Sequence, residues 1–208
     1  MLSRRSDAGF TLVELLIVVV LLGVVVAPVA TAVMLSIRTT DATSRRLELS
    51  HDAQQSSAFF AQDVATTGLR DYSGQIANGE VPFSPSVQLD AAHDAGGQVC
   101  GNAATPVSVL RLLSDDWDTS TPAATRRTVV VAYYLAGTEL HRLRCVGSAA
   151  PASDAVVAHN VAPGSAVVAC SSTCTAAAVP QWVKLSFTAA AGDADPYPVT
   201  LFGQRRQS

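Results

Sequence analysis

The sequence predicts an α+β fold, with one long amino-terminal helix whose outer half packs on an antiparallel β-sheet head. Three observations carry this expectation. Residues 10–37 form an unbroken apolar run, and residues 38–69 hold no proline and no glycine before Gly68. From Val107 onward, short runs rich in β-branched and aromatic residues alternate with turns bearing Gly or Pro.

A chain of 208 residues is long enough for one ordinary domain, or for one domain with an appendage. With 49% hydrophobic and 15% charged residues and a mean hydropathy of +0.28, it is too apolar for a disordered chain. The formal net charge of -3 argues against binding nucleic acid by bulk electrostatics.

The first element begins after a short polar stretch, residues 1–9, that carries Arg4 and Arg5. Between Phe10 and Ile37 the one ionisable side chain is Glu14, and no second charge occurs before Arg38. As a helix this run is about 40 Å long, enough for a bilayer core of about 30 Å. Helices of soluble proteins rarely stay apolar on every face for such a length. The basic flank predicts a cytoplasmic amino terminus, with everything after Arg38 outside the cytoplasm. A secretory signal has its small-residue cleavage site after the apolar core, whereas here Ala8 and Gly9 precede it. Pro28 and Gly23 soften the helix without ending it.

Glu14 needs an explanation, because a carboxylate near mid-bilayer costs about 2.5–3.5 kcal/mol on insertion scales. Either it snorkels to the cytoplasmic headgroups, or it meets a cation. No Lys or Arg lies within the span, so that cation would belong to another chain or be a newly made amino terminus.

Gly9-Phe10-Thr11-Leu12-Val13-Glu14 resembles the prepilin signature of type IV pilins, type II secretion pseudopilins and competence pseudopilins. The resemblance implies that a membrane peptidase, the prepilin peptidase, cuts between Gly9 and Phe10 and methylates the new amino group of Phe10. Glu14 then occupies the fifth mature position, where the family keeps its glutamate for assembly. The pseudopilin tip subunit that lacks this glutamate is disfavoured. An α-amino group titrates near 7.7–8.0 and is largely protonated at neutral pH, so it suits a buried carboxylate of a neighbouring subunit. Breaking a buried pair of this kind typically costs about 3–5 kcal/mol.

Residues 38–69 read as a continuation of the membrane helix that stops near Gly68. Leu47, Ala58, Ala61, Ala65 and Leu69 suit one apolar stripe, interrupted by His51 and Gln54. Arg45, Arg46, Glu48, Asp52 and Asp63 are expected in solvent. Residues 70–105 read as a long surface excursion. Strands are expected at 107–113, 155–161, 165–169, 181–188 and 198–202, with a hairpin of 128–135 and 139–145 turning at Gly137. The stretch Phe59 to Gly68, the pattern Tyr133-Tyr134-Leu135 to Arg142, and Asn160-Val161 resemble J-type minor pseudopilins. The domain plan is therefore a leader at 1–9, a transmembrane assembly helix at 10–37, an amphipathic continuation at 38–69 and an extracytoplasmic β-rich head at 70–208.

Cys100, Cys145, Cys170 and Cys174 allow three pairings. Cys170 and Cys174 enclose Ser-Ser-Thr, which suits a small local loop, and Cys100 would then pin the loop-rich region to the hairpin at Cys145. Other pairings and free thiols stay open. No zinc spacing occurs, and no cofactor or metal is expected. Catalytic motifs are missing: there is no G-x-S-x-G, H-E-x-x-H, Walker loop or G-x-G-x-x-G. His51, His93, His141 and His159 are scattered. Asp115-Asp116-Trp117-Asp118 and Asp193-Ala194-Asp195 lack ordered calcium-loop spacing and read as solvated turns. Arg126-Arg127, Arg142 with Arg144, and Arg205-Arg206 would touch DNA only if they gathered on one face, and nucleic acid is not an expected partner.

The expected function is that of a minor pilin or pseudopilin, a structural subunit without catalysis of its own. It would wait in the cytoplasmic (inner) membrane as a single-pass protein. With other pilin or pseudopilin subunits it would then enter a type IV pilus or a type II secretion-like pseudopilus. The competing readings are a major or adhesive, DNA-binding pilin, and a membrane-anchored extracytoplasmic enzyme or binding module.

Overall fold

The computed structural model describes residues 11–73, 79–120, 122–190 and 196–206, without the side chains at 41, 42, 45, 46 and 49. The leader, residues 1–9 including Gly9, and Phe10 lie outside the described residues, as do Asp193 and Asp195. The chain divides into two compact units, Met1–Leu47 and Glu48–Ser208. One helix, α1 (Leu12–Thr66), crosses that division.

In the first unit the helix is apolar and exposed on every side. The most apolar window of its Leu12–Thr40 portion has a mean hydropathy of 3.0, and none of that window is buried. Thr31, Thr39, Thr40 and Thr43 each donate their hydroxyl to the carbonyl four residues back, at 2.8–2.9 Å. These bonds satisfy polar groups that an apolar medium would otherwise leave without partners. Pro28 sits inside the helix, which continues past it.

Among the described residues, the second unit holds the last turns of α1 and eight strands. Five antiparallel strands pair in chain order: β1 (Val87–Ala91), β2 (Ser108–Asp118), β3 (Thr125–Ala136), β4 (Glu139–Val146) and β5 (Pro151–Ala158). The other three, β6 (Val167–Cys170), β7 (Trp182–Ala189) and β8 (Tyr197–Gln204), form a separate sheet in the order β6-β7-β8. Helix α1 ends two residues before Gly68, because the Gly68 amide donates to Leu113 O at 2.9 Å and the chain joins the edge of β2 there.

Phe60 and Val64 of α1, Leu110, Tyr133 and Leu140 of the first sheet, and Leu185 and Leu201 of the second share one core. The opposite face of the first sheet carries another, made by Leu69, Cys100, Leu113, Val130, Tyr134, Leu143 and Cys145. Strand β3 is therefore covered on both sides, which explains its continuous apolar run in place of an alternating one. Strand β7, covered on one side, alternates strictly.

The excursion expected over 70–105 is instead built into the fold. Val87 of β1 is fully buried and pairs with Leu112. Asp90, at φ 46, breaks the strand's alternation and hides it from a period-two reading. The loop after β1 wraps the side chain of Arg111, which is 0% exposed. Its guanidinium donates to Gln88 Oε1 at 2.8 Å, to Ala92 O and Ala95 O at 3.0 and 3.1 Å, to His93 O at 3.2 Å and to Gln98 O. An internal cation thus supplies the donors for carbonyls that no strand satisfies.

Candidate assembly site

At its amino-terminal end α1 begins with a side-chain cap. Thr11 precedes the first helical residue, and its Oγ1 accepts a hydrogen bond from the Glu14 amide at 3.3 Å. Thr11-x-x-Glu14 has the spacing of a capping box. Acidic Glu14 in the first turn also faces the positive end of the helix dipole. The nearest basic residue on the same helix, Arg38, is roughly 36 Å away along the axis, so the helix offers Glu14 no cation of its own.

At the other end, the face of α1 that packs on the head differs from the expected one. Leu47, His51, Gln54, Ala58 and Ala61 are exposed and Ala65 is half-buried, while the buried stripe is Asp52, Ser56, Phe60, Asp63 and Val64. Leu69 is buried, but beyond the helix end. Asp52 and Asp63, expected in solvent, are buried, whereas Glu48 is exposed and the side chains of Arg45 and Arg46 are outside the described set. Apolarity alone misplaced the face, because the head carries the counter-charges.

Asp63 takes Arg142 Nε at 2.7 Å and Nη2 at 2.5 Å, and accepts the Tyr133 hydroxyl at 2.6 Å. Arg142 and Tyr133 are cross-strand partners in β4 and β3, so the sheet register itself positions both donors. The Phe59 ring lies 5.0 Å below the guanidinium. Burial first, then the Asp63 charge, pushes the Tyr133 hydroxyl well above its usual range. The hydrogen bonds that Arg142 donates to Asp63 raise its own pKa. Three turns earlier, Asp52 Oδ2 accepts from both the backbone amide and Nδ1 of His159, each at 2.9 Å. That bond raises the His159 imidazole above its usual value. Sequence reasoning passed over this network. The available signal was Arg142 on the same inward face as Leu140, which requires a buried acid from a neighbouring element.

The four cysteines form two disulfides, Cys100–Cys145 and Cys170–Cys174. Asp115 pairs with Arg126 at 2.6 Å, and Asp116 and Asp118 pair with Arg127 at 2.6 and 3.1 Å, as rungs across β2 and β3. The arginines weighed as a basic surface are thus divided: Arg126 and Arg127 face acids, and Arg142 is buried on Asp63. No cluster of three metal-ligating side chains occurs among the described residues. His141 stacks on Tyr134 at 5.0 Å, between Glu139 and Asp154.

Residues 4–30 match the family model described as the prokaryotic N-terminal methylation motif. No curated protein and no solved structure matches the chain. The match covers Arg4, Arg5, Gly9, Phe10 and Glu14 together with most of the apolar run. The chain is accordingly type IV pilin-like or pseudopilin-like at its amino terminus, a substrate type for prepilin peptidase. Its Leu12–Thr40 segment is long and apolar enough to anchor it in a membrane.

Proposed function

We propose that this chain is a minor pilin or pseudopilin, a non-catalytic structural subunit of a type IV pilus or a type II secretion-like pseudopilus. The observation that carries the reading is the methylation motif at residues 4–30, continuous with the apolar helix from Leu12 to Thr40. In this reading prepilin peptidase removes residues 1–9 by cutting between Gly9 and Phe10, and methylates the Phe10 amino group. Residues 10–37 hold the subunit in the cytoplasmic membrane and later in the filament. Residues 38–69 continue the helix, and residues 70–208 form the extracytoplasmic head. Arg4 and Arg5 support a cytoplasmic amino terminus. Two disulfides suit a head in an oxidising compartment.

Glu14 is the assembly residue, pairing in the filament with the Phe10 amine of a neighbouring subunit. The cap at Thr11 supports this role because it fixes the helix start from which the carboxylate projects. The assignment as a minor subunit draws on the J-type resemblance of Phe59 to Gly68 and of the β3–β4 hairpin. Intact-mass measurement of the membrane form tests the reading. A chain that begins at N-methyl-Phe10 is the expected result, and retention of residues 1–9 in a host with the peptidase overturns it. Low abundance relative to the main subunit in sheared filaments is expected of a minor pilin.

A further inference from the structure

Strand β8 is an edge of the second sheet and pairs with β7 on one side only. Two hydrogen bonds fix which of its peptide groups face outward. The Arg205 amide donates toward β7, to Gln181 O at 2.8 Å, and the Arg206 amide turns the other way, to Ala65 O at 3.1 Å. Peptide groups alternate along a paired strand, so Val199, Leu201 and Gly203 bond β7, in register with Phe187, Leu185 and Val183. The N–H groups of Thr200, Phe202 and Gln204 therefore point away from the sheet, as do the carbonyls of these residues and of Pro198. No backbone partner for them occurs among the described residues.

An open edge is a template for another strand, and folded proteins commonly block it with charges, proline or a covering segment. Pro198 guards one end of β8, but from Val199 to Gln204 the strand carries no charge. Beside that stretch lies an open groove of about 880 Å3, walled by Phe202 to Arg206 and, opposite, by the flank of α1 that bears Ala58 and Ala61. The bond from Arg206 to Ala65 ties the two walls together at one end. With α1 as the far wall the groove suits one added strand, whereas a second copy would bring β6 and β7 into the same space along with its β8. The alanines leave room for side chains on one face of such a strand. On the other, Phe202 is 52% exposed, its ring 6.1 Å from that of Trp182. The charged lining residues are Arg205 and Arg206, with no carboxylate. Nε and Nη1 of Arg205 are buried, its guanidinium 4.9 Å from the Phe83 ring. Arg206, exposed, is the cation that the groove presents.

We infer that the outer edge of β8 is a strand-addition site, which takes an extended, acidic segment of another polypeptide as an added antiparallel strand. The outward peptide groups of Thr200, Phe202 and Gln204 supply the ladder. Arg206 sets the register, because a strand antiparallel to β8 begins beside Arg206, and an acid at its amino-terminal end meets the guanidinium there. The site belongs to the head and is independent of the paired charge proposed at Glu14.

The test uses the full chain in detergent and a fluorescent synthetic peptide in which two glutamates precede six alternating valines and threonines. Saturable binding is expected by fluorescence anisotropy. Hydrogen exchange at the amides of Thr200, Phe202 and Gln204 should then slow roughly tenfold or more, with Val199, Leu201 and Gly203 unchanged. Lysines in place of the probe's glutamates, or Arg206→Glu in the chain, should each weaken binding roughly tenfold, and the two together should restore it. Thr200→Pro deletes an outward N–H and no bond to β7, and Pro198 shows that this edge accepts proline. It should weaken binding by a similar factor while both disulfides form and the melting temperature holds. N-methylation of the probe at alternate amides makes the same test on the unaltered chain: one phase should abolish binding and the other spare it. Absence of saturable binding overturns the inference, as does binding that ignores the Arg206 charge or both methylation phases, or protection that falls elsewhere than on β8. Self-association of the chain through β8 without the probe also overturns it, and assigns the edge to a second copy.

Discussion

Asp63 accepts three hydrogen bonds from two side chains of a sheet while sitting on a helix, so its burial is tolerable only as part of a complete set. Removing Arg142 leaves the carboxylate buried with a neutral phenol as its remaining partner. Arg142→Ala is expected to destabilise the head by about 3–5 kcal/mol, and Asp63→Asn combined with Arg142→Met by clearly less. Thermal melting of the full chain in detergent, followed by near-UV circular dichroism, reads the difference; equal losses for the single and double variants contradict the account. Asp52 and His159 behave differently, because the imidazole is 41% exposed and carries its charge only when protonated. Its pKa is raised in the folded chain, principally by the hydrogen bond to Asp52. A raised pKa stabilises fully below the unfolded value of about 6.5, and that stabilisation disappears as pH rises through the folded value. The stability advantage over His159→Asn should therefore shrink as pH rises above about 6.5. A pH-independent difference in melting temperature would assign the contact to packing and the Asp52 bond to the His159 backbone amide.

The elements show where the sequence was readable. The β3–β4 hairpin was legible because its apolar run, a two-residue turn with Gly137 at φ 63 and a second run all agree. Strand β7 was legible because it has one wet face. Strand β1 was not, since Asp90 interrupts its pattern and its burial depends on a loop wrapped around Arg111, forty-five positions from Thr66 at the helix end. The packed face of α1 was misread for a related reason: a helix stripe rich in Asp and Ser becomes interior only once Arg142, Tyr133 and His159 arrive from the sheet. Nothing local to the helix carries that information. Each disulfide also acts on its own element. Cys100–Cys145 closes a loop with a sequence separation of 45, and Cys170–Cys174 one of 4. Loop entropy assigns about 4 kcal/mol to the first and about 2 kcal/mol to the second. Replacing both cysteines of a pair with serine should lower the melting temperature more for Cys100 and Cys145, which also fasten the cover over the outer core. The reverse order would show that the loop around Arg111 holds without its bond.

For the whole molecule the decisive contrast is between a helix end that is complete within the chain and one that is not. The Asp63 end finds its cations inside the same fold. Glu14 has none along its own helix before Arg38, and its backbone amide rather than its carboxylate is what Thr11 engages. In the proposed membrane monomer an acid in the first turn of the span would reach the headgroups and stay hydrated, so its removal should not hinder insertion. In the proposed filament neighbouring helices would shield the same position from water, and the acid would then be worth keeping only where it met an amine. Glu14→Ala is therefore expected to leave the membrane-bound amount unchanged while reducing incorporation into sheared filaments roughly tenfold or more. Glu14→Gln, which keeps the shape and the capping spacing but not the charge, should fall with it. Subunit counts in the two fractions, normalised to total protein, decide the matter. Normal incorporation of Glu14→Gln would assign the residue to helix capping, and a loss from the membrane fraction itself would place its role in insertion.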